Sequence, residues 1–120
     1  MSETFTHDNL LAGDYPNIAD EGTLISGQNL VRGTLIAKIT ASGKLTQCDV
    51  AAAAGDGSEI PYAILIEDTD ASGGDVTHTP YYLSGEFDDQ QVTLDAGDTV
   101  AGVKDLCRDK SIYLKTVVPQ

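Results

Sequence analysis

Apolar positions along this chain fall in short clusters separated by turn residues, a texture that favours strands over helices. Residues 33–40, GTLIAKIT, predict a strand; ASGK predicts a turn, and LTQCDV the returning strand of a hairpin. The next segment, AAAAGDGSE at 51–59, is cut by Gly55 and Gly57 before a helix can propagate, and reads as a loop. PYAILIE at 61–67 is an unbroken apolar run of strand length, as expected for a strand covered on both faces. VTHTPYYLSGEF at 76–87 resumes the sheet. Pro80 has no N–H to give a ladder there, which suggests an edge or a bulge. QQVTLD at 90–95 predicts a further short strand, and SIYLKTVV a closing one.

One helix is predicted, DTVAGVKDLCRDK at 98–110. Asp98 or Thr99 serves as its cap, accepting from free backbone N–H groups. Val100, Val103, Leu106 and Cys107 are expected to share a face, with Lys104, Asp105, Arg108 and Asp109 outward. Gly102 costs such a helix about 1 kcal/mol against alanine, so it needs tertiary packing. The first stretch differs: up to residue 21 Thr, Asp, Asn and Gly dominate, with Leu10, Leu11 and Ile18 as the apolar anchors. Residues 1–21 are therefore expected to form a flexible arm, and residues 22–120 one β-rich domain.

A chain of 120 residues suits a single domain. Tryptophan is absent and aromatics make up 6%, so the core must be aliphatic. The net charge of −12 opposes direct nucleic-acid binding, which depends on neutralising phosphates, and equally opposes an anionic membrane surface. The N-terminal sequence lacks the basic start and apolar stretch of a secretory signal, and no window approaches the length of a transmembrane helix. Cys48 and Cys107 form no C-x-x-C pair; buried thiols are expected, with a disulfide the alternative.

The acids at 67–75 raise the sharpest chemical question. Asp68-x-Asp70-x-Ser72-Gly73 copies the first half of an EF-hand loop. The twelfth position, where a bidentate Glu belongs, is Thr79, and strands replace the flanking helices. Asp and Ser favour turns, and Gly73-Gly74 supply positive φ, so a hairpin connection is expected. His7 and His78 have no ligand-like spacing. Gly43-Lys44 lacks the upstream glycine of a phosphate loop, and Gly55-x-Gly57 precedes no helix. Glu86, Asp88 and Asp89 are expected to be exposed acids after a strand, and no nucleophile, base and orienter can be nominated together. The expectation is a non-enzymatic protein with no cofactor and no metal site.

Glu3-Thr4-Phe5-Thr6-His7 resembles the opening of the lambda-like phage head decoration family. Residues 33–118 are similar to that family in order: a Gly-started strand, an ASGK-like turn, a small-residue segment, DGS, the run from Pro61 to Asp68, and the step from Asp70 to Asp75. Ser84-Gly85-Glu86-Phe87 sits where the family has a short G-x-F/V step. A departure is VTLDAG at 92–97, where the lambda protein has L-W-P. The resemblance implies a mainly β, β-clip-like bent ribbon or incomplete barrel with one short helix and an extended N-terminal arm. It implies homotrimers on the outer surface of the expanded icosahedral capsid, with the major capsid protein as partner and the host cytoplasm as the place of assembly. Glu3, Thr4, Phe5, Thr6 and His7 are the expected capsid-binding residues, the arm adding a strand to a neighbour's edge. The main alternative is a cation- or carbohydrate-binding β module using the 67–75 acids or Tyr81-Tyr82; a dUTPase-like enzyme of related topology is third.

Overall fold

The computed structural model describes residues 17–52 and 54–115. Strand β1 (Ala19–Leu24) runs antiparallel to β7 (Val76–Tyr82), from Ala19 opposite Tyr82 to Leu24 opposite Val76. Strand β3 (Leu35–Lys38) and β4 (Leu45–Gln47) form the expected hairpin. Its ASGK turn is closed by Gly43 N donating to Ile39 O at 2.8 Å and Ile39 N donating to Lys44 O at 2.8 Å. Strand β5 (Ala63–Leu65) pairs with β3 on one side and β7 on the other, all antiparallel. The sheet order β1-β4-β3-β5-β7 closes into a barrel. Closure is thin: Leu24 meets Leu45 in a parallel contact, and Ile25 N donates to Leu45 O at 2.9 Å. The architecture is thus mainly β with one short helix, and the barrel is closed.

Two small sheets flank the barrel. Strands β2 (Asn29–Leu30) and β6 (Thr69–Asp70) pair antiparallel. Strands β8 (Gly85–Asp88) and β9 (Ile112–Lys115) pair in parallel, with helix α1 (Val100–Arg108) as the crossover between them. The closing strand therefore joins β8 and does not enter the barrel.

Side-chain alternation on β3 and β5 explains why Ala63–Leu65, within PYAILIE, carries no polar position. Ile36, Ala63 and Leu65 point into the barrel with Leu24, Leu30, Leu45, Ala71 and Tyr81. Leu35, Ala37 and Ile64 point the other way and pack with Phe87, Val103, Cys107, Ile112 and Leu114. The outer cluster joins α1, β8 and β9 to the barrel. Each fully buried Leu, Ile or Phe there contributes about 1.5–3 kcal/mol.

Three local expectations are corrected. Residues 90–95 form no named strand: Gln90 N and Gln91 N are taken up by a turn on Asp88, leaving one parallel bridge, Thr34 to Thr93. Leu106 is 40% exposed and does not share the buried face. At about 100° per residue it lies about 60° from Val103 and about 100° from Cys107, at the margin of the stripe. Pro80 is on an inner strand, opposite Glu21; the register shift of β1 between Gly22 and Leu24 falls just beyond it, opposite Thr79 to Val76, and Ile66 N donates to the Pro80 carbonyl at 3.1 Å.

Candidate functional site

The acids of the β5–β7 connection do not converge. Asp68 Oδ1 accepts from Arg32 N at 2.7 Å. Asp70 Oδ1 accepts from Ser72 N at 2.9 Å and from Ser72 Oγ at 2.6 Å. Asp75 Oδ1 accepts from Ser26 N at 2.8 Å, and its Oδ2 lies 2.6 Å from Lys44 Nζ. The Ser72 bonds hold the Asp70 carboxyl below its usual range; the Lys44 bond, then the Ser26 N–H, does the same for Asp75. Each carboxylate thus fixes a different piece of chain, and β5 and β7 pair directly across the connection, with Ile64 opposite Tyr82. Among the described residues no three His, Cys, Asp or Glu side chains are grouped to hold a metal ion.

The other candidate groups are likewise occupied by the fold. His78 has φ 58° and its Nδ1 lies 2.6 Å from Glu21 Oε1 at the surface. Tyr81 and Tyr82 point to opposite sides of β7 and form no shared platform. Tyr81 meets the Tyr62 ring edge-on at 5.6 Å, and Tyr82 packs on Phe87 at 5.7 Å. Asp89 is buried and accepts from Gln90 Nε2 at 3.2 Å, while Glu86 lies 3.7 Å from Lys115 Nζ. Cys48 and Cys107 are free thiols in the outer cluster, and burial pushes each up to about 12.

Helix α1 is placed by its start. Thr99 Oγ1 accepts from Gly102 N at 3.0 Å, so Thr99 is the cap. Asp98 turns outward and accepts from Val50 N and Ala51 N, both at 2.9 Å, tying the 48–52 segment to the helix. The helix lies against β9, and between them runs a groove of about 460 Å³ lined by Glu86, Lys104, Arg108, Tyr113, Leu114 and Lys115. Four of the seven Lys and Arg residues lie between 104 and 115. That clustering was visible in the sequence; its convergence on one groove depends on β9 returning beside α1.

The described chain begins at Asn17 and Ile18, which are held at the turn between β7 and β8. Ile18 N donates to Ser84 Oγ at 3.2 Å, and Leu83 N donates to Ile18 O at 2.6 Å. The Asn17 side chain crowds Gly85, where a Cβ would lie 3.1 Å from Asn17 Nδ2 and 3.0 Å from Phe87 Cζ. Strand β1 begins at Ala19, so residues 19–21 belong to the barrel. Glu3, Thr4, Phe5, Thr6 and His7 lie outside the described residues.

The family model for the bacteriophage lambda head decoration protein D matches residues 1–107. The chain belongs to this family. No curated protein matches it. The matched span includes the whole N-terminal segment and runs to Cys107 in α1, ending before β9. Membership makes the chain a structural protein of the phage head that binds the capsid. No helix among the described residues is long and apolar enough to cross a membrane.

Proposed function

We propose that this head decoration protein binds the outer surface of the expanded capsid as a homotrimer and stabilises the shell against internal DNA pressure. The observation that carries this reading is the family match from residue 1, which takes in Glu3, Thr4, Phe5, Thr6 and His7. These residues add a strand to an exposed edge of the major capsid protein, backbone bonds giving affinity and Phe5 filling an apolar pocket. Stabilisation follows from mass action: a ligand that binds the expanded lattice better than the procapsid or free subunits shifts the equilibrium toward it. Binding takes place in the host cytoplasm during assembly.

The test is cosedimentation with expanded capsids and with unexpanded procapsids. Deletion of residues 2–16 stops short of Ala19, leaving the β1–β7 pairing intact. The truncated protein is expected to keep its circular dichroism spectrum and to lose capsid binding. Three segments on one trimer act together, so a modest loss from each multiplies. Phe5→Ala weakens binding in the same direction by less. Full-affinity decoration by the truncated protein would place attachment in the β domain. Light scattering after gel filtration is expected to report about three times the 12.6 kDa chain mass; a stable dimer contradicts the trimer.

A further inference from the structure

Helix α1 stands between two depressions of different character. On one flank is the groove it shares with β9, where Lys104, Arg108 and Lys115 face the single acid Glu86. On the other is a cleft of about 250 Å³ between the helix and the 59–61 loop, walled by Ile60, Pro61 and Leu106. Glu59 and Asp109 rim this cleft against the single cation Lys110. The helical angle separates the two: with Val103 and Cys107 inward, Lys104 and Arg108 fall on one side and Leu106 and Asp109 on the other. Ile60 is 46% exposed and Leu106 is exposed beside it, so the cleft presents apolar surface as well as an acidic rim. Each flank offers what the other lacks.

Charge decides what fits there. Four of the chain's seven Lys and Arg and four of its nineteen Asp and Glu, Asp105 being the fourth, belong to α1 and these two flanks. This face is therefore neutral, and the whole net charge of −12 falls on the rest of the chain. Two copies that approach through other surfaces bring like charges together; through this face they do not. The pairs already present hold its cations weakly: Lys115 Nζ lies 3.7 Å from Glu86 and Arg108 lies 3.6 Å from Asp105, both at the surface. A closed ring of three copies also demands a heterologous contact, in which one patch of each copy meets a different patch of the next. The basic groove and the acid-rimmed apolar cleft form such a pair on one helix.

We propose that copies of this chain meet through α1, the basic groove of one copy receiving the Glu59 and Asp109 rim of the next copy's cleft. Leu106 and Ile60 are covered at that junction, which gives Leu106 the burial its own chain withholds. Three copies joined in this way close around a threefold axis, with the helix of each beside the axis. The inference rests on the homotrimer reading and deepens it by naming the surface that joins the copies.

The experiment treats the full chain with a water-soluble carbodiimide, which joins a lysine amine to a carboxylate in contact with it. An amide forms, and the water lost converts the carbodiimide to a urea. Equal amounts of 14N and 15N chains are mixed; one part is bound to expanded capsids, one is kept free, and linked peptides are read by mass spectrometry. A link between copies carries one light and one heavy peptide. Mixed links from Lys104 or Lys115 to Asp109 or Glu59 are expected in at least one of the two states. Arg108→Glu removes no coupling group there, yet should cut their yield at least about tenfold, with the circular dichroism spectrum unchanged. Mixed links through other residues alone overturn this surface and leave the homotrimer standing, whereas the absence of any mixed link in both states removes both. Links from these lysines to the major capsid protein in their place, or an Arg108→Glu yield equal to that of the unaltered chain, also overturn the inference. Sedimentation of the same samples reads attachment separately: chains that pellet with capsids without these links leave the attachment reading intact.

Discussion

Gly57→Ala is expected to destabilise the domain by about 2–4 kcal/mol, more than its place in an alanine- and glycine-rich loop suggests. Gly57 has φ +102°, a conformation that costs an L-residue about 1–2 kcal/mol. The space around it is closed as well. An added Cβ would meet Lys38 O at 2.5 Å, Thr40 Oγ1 at 2.7 Å and Thr40 N at 3.0 Å. The Thr40 side chain can rotate, but the Lys38 carbonyl belongs to β3 and cannot yield without disturbing the hairpin. The loop must move instead. Two bonds hold it: Thr40 N donates to Asp56 O at 2.9 Å, and Asp49 N donates to Ser58 O at 2.9 Å. Losing them adds about 1 kcal/mol each. The assay is urea denaturation at one fixed protein concentration, because any oligomer makes stability concentration-dependent. With a slope of about 1–3 kcal/mol per molar, the midpoint should fall by about 0.7–4 M with the slope unchanged. Gly73→Ala is the control: nothing lies within 4 Å of its Cβ position, and its midpoint should hold within about 0.5 kcal/mol. A Gly57 variant as stable as the Gly73 variant would refute the close-approach argument.

The remaining predictions concern the helix, the thiols and the acids. Thr99→Ala should cost about 0.5–2 kcal/mol by the same denaturation assay, because Gly102 N loses its acceptor. Cys48 and Cys107 should resist a thiol reagent in the native protein and react on unfolding. Burial raises both from 9.0 to about 12, so their stabilising effect is complete below pH 9 and lost as pH rises toward 12; a melting temperature flat across that window contradicts the burial. EDTA and millimolar calcium should leave the melting midpoint unchanged, since Asp68, Asp70 and Asp75 each bond a different chain segment; a rise of several degrees with calcium would reverse this reading.

Legibility from the sequence followed how local each signal was. The β3–β4 hairpin needed only alternation and ASGK, and it formed as expected. The helix was marked by its capping residues and its Val103–Cys107 spacing, and it runs from Val100 to Arg108. Strand β1 was hidden because ADEGTL has little apolar content: its Ala19, Asp20 and Glu21 are exposed, and the strand is held by backbone pairing to β7. Pairing of that kind leaves no trace in hydropathy. Residues 90–95 failed for the opposite reason. Val92 and Leu94 do pack on the outer cluster, but Asp88 captures the N–H groups of Gln90 and Gln91, and a single bridge remains.

Chemistry was legible to a different degree from architecture. The acids at 67–75 read as a turn because the twelfth-position carboxylate is missing, and the structure gives Asp68, Asp70 and Asp75 each a donor from a different residue. Arg32 illustrates what spacing could not show. Its N–H bonds Asp68 and its guanidinium donates to Ile66 O at 2.6 Å, so one residue before β3 holds both ends of the turn's first half. The basic groove lay further out of reach. Lys104 and Arg108 were read as outward-facing, yet they share a groove with Tyr113, Leu114 and Lys115 of β9, which pairs in parallel with β8. A residue's periodicity tells which side of its own helix it occupies. What stands on that side is decided by the strand that follows, and here the strand turns a solvated face into a lined groove.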